Sequence, residues 1–432
     1  MTRSEPRLID GRRDIYLRRV VSRPYFLSGC VLAIVGAVVA VTMGGDVLIA
    51  QSLLVAAFIL LSAVICGVRG TLAALCILGI PPGVFGESSL LVALCGAAGL
   101  LVIICTYPAA KSPRLATSVA VAGVFSCCFI AMLLVGQAQV GALYVLIGIC
   151  AMLVMQRTDF TRDACRGLSL VLGTLAFSYF TTVITGFPSG PARVVEVGER
   201  LVFVYAPVTL SSAGPPLIEG TRRFAPLVGE PGLTVFLLIP LLTAALTLLQ
   251  RRAHRILAVI SLSFVALATQ SFGVYVAFLA GLALYVCLWL SKRGRQPLLA
   301  MLAGLGLLAV GLWFSMRLIS EKGSLAPESV SDRGIFESTA ATSASLGNIN
   351  LIVAFQHSPT LAATLSIALV LTVLIAVRHP FGLMPLVMFL VTAVFSQPIQ
   401  WQAGGWLLLV MAISISIGPA AEGCSELRSH RT

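Results

Sequence analysis

Two adjacent arginines and a carboxylate stand just before an apolar run, in a stretch whose residue types suit phosphate chemistry. The stretch reads Gly220-Thr-Arg222-Arg223-Phe-Ala-Pro-Leu-Val-Gly-Glu230-Pro-Gly232. A guanidinium group is planar and permanently charged and donates to two phosphate oxygens at once, so an arginine pair at lipid-headgroup level suits a pyrophosphate. Glu230 could then deprotonate a sugar hydroxyl. The alternative is that the arginines contact ordinary headgroups or pair with Glu219 and Glu230.

Further candidate groups lie in the same polar segment and in a second one. Residues 187–231 carry four acidic and four basic side chains, a balance that predicts a paired, ordered surface. The basic ones besides the pair are Arg193 and Arg200. The second segment, residues 317–360, contributes Arg317, Arg333 and His357. His357 can act as an acid or base near neutral pH, although a lone histidine is also common as a polar residue at a helix end.

Motifs for other chemistry are missing from the sequence. It has no H-E-x-x-H, no Walker loop, no G-x-S-x-G and no G-x-G-x-x-G. It also has no D-x-D outside the apolar runs, the pattern with which metal-dependent glycosyltransferases hold their ion. We therefore expect no cofactor and no metal, and any transfer reaction here would be metal-independent.

The elements that must position these residues are apolar helices. Hydrophobic residues make up 58% of the 432 positions, charged residues only 11%, and the mean hydropathy is +1.00. A spanning helix needs about 20 apolar residues, and such runs recur along the whole chain. Because the runs are continuous rather than alternating, helices are favoured over a barrel. The sequence predicts an all-α polytopic integral membrane protein.

Counting the runs gives fourteen spans, or twelve if one pair is re-entrant, with both termini on the cytoplasmic side. The run from 256 to 290 must turn back, and we predict its break at Thr269-Gln270-Ser271-Phe272-Gly273. The weakest span, 71–86, is interrupted by Pro81-Pro82. The predicted organisation is a basic tail (1–24), an N-terminal bundle (25–186), a first long extracytoplasmic loop (187–231), central helices (232–316), a second such loop (317–360), C-terminal helices (361–419) and a cytoplasmic tail (420–432).

Charge supports this sidedness. With the termini inside, 22 of the 29 lysines and arginines fall on the cytoplasmic side, as the positive-inside rule requires. The net charge of +12 is thereby explained without nucleic acid, which we do not expect as a partner. Most of the eleven cysteines lie within apolar runs, and no disulfide framework is expected. The N-terminal run lacks a cleavage signal, so it is predicted to be a retained span, and the expected location is the inner (cytoplasmic) membrane.

Three features resemble the O-antigen ligase and polymerase superfamily of bacterial envelope enzymes, including the Wzy-type polymerases. They are the Arg-Phe-x-x-x-x-G-E-P stretch from Arg223 to Pro231, the helix break at 269–273, and a long outer loop before the last three spans. The resemblance covers roughly residues 160–420 and leaves the first six spans as scaffold.

The resemblance implies transfer of a polyprenyl-pyrophosphate-linked glycan to an acceptor sugar at the outer face of the membrane. Arg222 or Arg223 would bind the pyrophosphate, with Arg333 contributing from the second loop, and Glu230 would orient or deprotonate the acceptor. Arg317 and His357 are weaker candidates. A flippase and a chain-length regulator of the same pathway would be the expected protein partners, beside membrane lipids.

Departures from the family pattern leave alternatives open. Many relatives have Ser-Arg where this chain has Ser271-Phe272, and the ligases carry a His-Asn pair where Asn348 and Asn350 stand, which favours a polymerase over a ligase. A lipid-linked glycan transporter would need polar residues lining a path through the bundle. The third hypothesis is that the protein is a non-catalytic scaffold that only binds other envelope proteins.

Overall fold

The computed structural model describes most of the apolar chain and parts of the first polar segment. The described residues are 23–42, 47–82, 90–109, 115–185, 193–197, 200–205, 208–211, 223–224, 231–249, 251–292, 306, 358–395, 399 and 402–429.

Helices make up nearly all of this described chain. Six precede the first polar segment: α1 (Arg23–Thr42), α2 (Val47–Leu78), α3 (Leu90–Cys105), α4 (Leu115–Leu134), α5 (Ala138–Val154) and α6 (Thr158–Thr185). Six follow it: α7 (Thr234–Thr247), α8 (Arg252–Thr269), α9 (Phe272–Lys292), α10 (Pro359–Ala376), α11 (Leu383–Phe395) and α12 (Ala403–Ser429). A helix satisfies its own backbone hydrogen bonds, which an apolar segment in a bilayer requires.

Several of the described helices are suited to a membrane by length and composition. Five qualify alone: Ala56–Leu78, Leu115–Leu134, Arg252–Thr269, Phe272–Ser291 and Pro359–Ala376. A sixth is obtained if Ala138–Val154 and Thr158–Phe177, which meet at a bend of 113°, form one broken span. The all-α polytopic membrane class is confirmed at this level, whereas the count of 12 to 14 spans and the sidedness stay predictions.

Helix α2 is sharply bent at Gly67. The Ser62 and Thr71 hydroxyl oxygens lie 3.0 Å apart, whereas nine residues of a straight helix would separate them by about 13.5 Å. Gly67 has φ 81° and ψ 158°, backbone angles that favour glycine. Residues 68–78 therefore lie at a sharp angle to 47–66, so Ala56–Leu78 qualifies as a span by length and composition but is not straight.

Close helix packing relies on small residues. A Cβ built on Gly167 of α6 would lie 2.5 Å from the carbonyl oxygen of Gly70 in α2, so the two backbones touch, as is common between helices in membranes. Deeper in the bundle, fully buried rings fill the space between α7, α11 and α12. Phe389 lies 5.7 Å from Phe236 and 4.8 Å from Trp406 between ring centroids.

Arginines gather at one end of the bundle, which we call the arginine end. Arg69 Nη1 donates to the Thr106 carbonyl oxygen, and Arg157 Nε donates to that of Tyr107. Arg378 Nη1 donates to Thr117 Oγ1 at the start of α4. The described arginines of this end are Arg69, Arg157, Arg162, Arg166, Arg251, Arg252, Arg255 and Arg378.

A four-stranded antiparallel sheet follows α6, away from the arginine end. Its strands are β1 (Arg193–Val197), β2 (Arg200–Tyr205), β3 (Val208–Ser211) and β4 (Arg223–Phe224), paired in sequence order. The predicted ordered surface of residues 187–231 thus includes strands, which the sequence reading did not anticipate. We call the end of the bundle at β4 the sheet end.

Candidate functional site

The candidate site is centred on strand β4, which is buried between two helices. Arg223 is 4% exposed and Phe224 is fully buried. Neighbouring strand residues point to opposite faces, so the burial of both means that the strand is covered on each side. Phe224 packs on Tyr179 of α6, with 5.0 Å between ring centroids. Arg223 Nε donates to the carbonyl oxygen of Thr269 at the end of α8, over 3.4 Å.

The partner of Arg223 belongs to the break between α8 and α9. Helix α8 ends at Thr269 and α9 begins at Phe272, so the predicted break is confirmed. Gln270 between them is left-handed, with φ 48° and ψ 38°. Thr269 Oγ1 donates to the Ala266 carbonyl oxygen and accepts from the Ser271 N–H, over 2.6 and 3.3 Å. The Thr269 side chain thereby holds the turn closed.

Three consecutive polar residues are buried at this break. Thr269, Gln270 and Ser271 are 0%, 5% and 2% exposed. Tyr275, one turn into α9, donates its hydroxyl to the Leu267 carbonyl oxygen over 2.9 Å. The side chains of Tyr179 and Gln270 are hydrogen-bonded to each other. Polar groups from α6, α8 and α9 therefore meet at one buried point.

The electrostatics of the break suit both a cation and an anion. The last carbonyl oxygens of α8 form the negative end of its dipole and attract the Arg223 guanidinium. The first N–H groups of α9 form a positive end, where anions such as phosphates bind. Arg223 Nε donates to the Thr269 carbonyl oxygen, which fixes the guanidinium beside this helix start. The break thus places a guanidinium close to a helix N-terminus, and both groups favour anions.

The sheet register brings three of the predicted arginine positions onto one face. Arg223 pairs with Ser211, Ser211 with Val202, and Val202 with Val195. Directly paired residues share a face, and so do residues two apart along a strand. Positions 193, 200 and 223 therefore belong to the same face. Strand spacings of about 4.8 Å and 3.4 Å per residue put positions 200 and 223 about 12 Å apart.

The structure describes only the backbone of two further predicted site residues. Arg193 and Arg200 are placed by their backbone in β1 and β2. Five candidates lie outside the described residues, so their roles stay predictions: Arg222, Glu230, Arg317, Arg333 and His357. Arg223 is thus the one candidate whose side-chain surroundings the described chain gives.

Sequence reasoning missed several groups that the structure brings to Arg223. Gln270 and Ser271 were part of the predicted break and of the family resemblance, but they were not predicted to be buried beside Arg223. A run of polar residues inside 35 uncharged positions was itself a signal for a buried polar site. Tyr179 and Tyr275 had no distinguishing pattern, since their role depends on how α6 and α9 pack.

Comparison of the chain with known protein families, curated proteins and solved structures gives no match.

Proposed function

We propose that the chain is a membrane glycosyltransferase that polymerises or transfers polyprenyl-pyrophosphate-linked glycan units at the outer face of the cytoplasmic membrane. The observation that carries the proposal is the buried Arg223 guanidinium beside the α8–α9 break. A diphosphate needs charge-assisted donors from more than one direction, and a guanidinium with a helix N-terminus supplies them.

The reaction follows from the groups assigned. An acceptor sugar hydroxyl attacks the anomeric carbon of the donor glycan, and the bond from that carbon to the pyrophosphate oxygen breaks. The proton of the hydroxyl goes to a base, for which Glu230 is our candidate. The lipid pyrophosphate leaves with the bond electrons, and Arg223 stabilises its added charge. No metal is needed because guanidinium and N–H groups neutralise the leaving group.

Three further observations support this assignment. Positions 193 and 200 belong to the same sheet face as Arg223, and position 200 lies about 12 Å from it by the strand spacing. The described arginines of the other end are the ones that the positive-inside rule assigns to the cytoplasm, which leaves the sheet end for the outer face. Glu230 of the G-E-P stretch follows Arg223 by seven residues, so the two are close along the chain.

A transfer assay tests the proposal. The purified protein in proteoliposomes is given polyprenyl-pyrophosphate oligosaccharide, and released polyprenyl pyrophosphate and glycan length are measured. Hydrogen bonds to charged groups contribute about 1.5–3 kcal/mol, so Arg223→Gln should lower the rate about 10- to 100-fold. Arg223→Lys keeps the positive charge but loses the planar two-pronged donor. Its transfer rate should lie between those of the wild type and Arg223→Gln. Arg162→Gln, an exposed arginine of the other end, is the matched control.

Unchanged product release by Arg223→Gln, in protein that elutes and melts like the wild type, would refute the proposal. The second candidate is a lipid-linked glycan flippase, which the helix breaks at Gly67 and Gln270 favour because transporters often contain discontinuous helices. Movement of the intact substrate across the bilayer without transfer, in the same vesicles, would support the flippase instead.

A further inference from the structure

Two arginines of the arginine end are held by the same helix end. Arg69 Nη1 donates to the Thr106 carbonyl oxygen over 3.4 Å, and Arg157 Nε donates to the Tyr107 carbonyl oxygen over 3.0 Å. Both acceptors directly follow α3, at the negative end of its dipole. Because the acceptors belong to consecutive residues, they fix the two guanidinium groups close to each other.

Further contacts hold each of these guanidinium groups. The Arg69 Cζ atom lies 5.9 Å from the centroid of the Tyr107 ring, within the range of a cation–π interaction. Arg157 Nη1 also donates to the Leu153 carbonyl oxygen at the end of α5, over 3.3 Å. Arginines from two distant parts of the chain, α2 and the α5–α6 bend, therefore meet at the end of α3.

Positive charge is in excess around this pair. Within the described parts of α2 to α6, the charged side chains are four arginines and two aspartates. The two aspartates form their ion pairs with the other two arginines: Arg162 with Asp159 and Asp163, and Arg166 with Asp163. Asp163 also hydrogen-bonds the Tyr107 hydroxyl. Two like charges held side by side with so few acids near them favour an anion as a further partner.

An exposed apolar flank adjoins the arginine pair. Leu72 follows Arg69 by about one helical turn and is 46% exposed, and Val102 precedes Thr106 by about one turn and is 66% exposed. Their helices, α2 and α3, pack against each other. Both side chains lie nearer the middle of the bundle than the arginines do. A cationic patch beside an apolar flank matches a lipid, in which a charged headgroup is joined to acyl chains.

The chemistry of the patch selects the headgroup. A guanidinium binds phosphate oxygens in pairs and keeps its charge at every physiological pH. A zwitterionic lipid brings its own ammonium group, which the neighbouring arginine repels. An anionic lipid brings only the phosphate charge, and basic pockets between helices at the membrane surface bind such headgroups.

We propose that Arg69 and Arg157 bind the phosphate of an anionic phospholipid, whose acyl chains lie along Leu72 and Val102. The lipid supplies negative charge where the described aspartates are outnumbered, and its headgroup joins α2 to the α5–α6 bend. This site lies at the opposite end of the bundle from β4, and it does not depend on the proposed transfer reaction.

Lipid selectivity tests the site. The purified protein in neutral detergent is titrated with phosphatidylglycerol or with phosphatidylcholine of the same acyl chains, and native mass spectrometry gives the dissociation constant of the first bound lipid. One arginine beside an anionic headgroup contributes about fivefold in affinity. With two arginines, the wild type should bind phosphatidylglycerol about 25-fold more tightly than phosphatidylcholine.

Two variants each remove one of the charges. Arg69→Gln and Arg157→Gln should each lower the preference for phosphatidylglycerol to about fivefold. Arg252→Gln is the matched control, because it removes the same charge from the exposed first residue of α8. Its preference should match that of the wild type. Because the two site variants are tested separately, misfolding of one leaves the other to decide.

The outcomes that overturn the proposal are distinct. Equal affinity of the wild type for the two lipids, or an unchanged preference in both folded variants, would show that the arginines only cap helix ends. An equal loss in Arg252→Gln would show that net charge alone sets the preference. Soluble glycerol 3-phosphate that competes as strongly as the lipid would show a phosphate site without a lipid. A failed transfer assay beside intact lipid selectivity would count against the proposed function alone.

Discussion

Arg223 is the residue on which the chemistry depends. A charged side chain buried in an apolar bundle is costly unless it is hydrogen-bonded, which is why such residues usually mark functional sites in membrane proteins. Its neighbour Phe224 anchors β4 by packing on Tyr179. The sequence could indicate Arg223 because an arginine before an apolar run is visible as a pattern. It could not indicate Tyr179 or Tyr275, whose contribution depends on the packing of distant helices.

Also at the residue scale, the Thr269 side chain stabilises the turn whose backbone carbonyl oxygen accepts the hydrogen bond from Arg223. Thr269→Val removes two hydrogen bonds, to Ala266 and Ser271, but keeps the carbonyl oxygen that Arg223 binds. Each bond contributes about 0.5–1.5 kcal/mol, so the free energy of unfolding should fall by about 1–3 kcal/mol. Unfolding in mixed detergent micelles measures it, with Thr243→Val, which loses a single bond, as the comparison. Equal losses in the two variants would contradict this role.

At the scale of elements, the bundle is built from helices that break at defined points. The break between α8 and α9 was predictable because 35 uncharged residues are too long for one crossing. The four strands were not predicted, since short alternating runs such as Arg193–Val197 give a weak signal beside so many apolar helices. The register that brings positions 193, 200 and 223 onto one face follows only from the pairing of those strands.

The bend of α2 at Gly67 gives a test of the element geometry. Nothing lies within 4 Å of a Cβ built on Gly67, so Gly67→Ala causes no clash, yet its φ of 81° is unfavourable for alanine. We expect a loss of about 1–3 kcal/mol in the free energy of unfolding. Gly173→Ala in α6 also meets open space but has helical angles, so it should gain about 0.5–1 kcal/mol. Stabilisation by both substitutions, measured by thermal unfolding in detergent, would show that α2 is not bent at Gly67.

At the scale of the whole molecule, the chain has two chemically different ends. One end holds described arginines that cap helix ends and bind backbone carbonyl oxygens, as Arg69 and Arg157 do. The other holds the sheet and the buried polar break. Charge counting in the sequence predicted such an asymmetry because the positive-inside rule acts on whole loops. It could not predict which polar residues converge, since that requires the packing of α6, α7, α8 and α9.

The most direct test of the account is whether the sheet end distinguishes a diphosphate from a monophosphate. Undecaprenyl pyrophosphate and undecaprenyl phosphate are titrated into nanodiscs that contain the wild type, Arg223→Lys or the control Arg162→Lys. We predict that the wild type and the control prefer the pyrophosphate about tenfold or more, because a guanidinium fork and a helix N-terminus act together on it. Arg223→Lys should lose most of this preference. Equal affinity of the wild type for the two lipids, or a preference untouched in Arg223→Lys, would contradict the account.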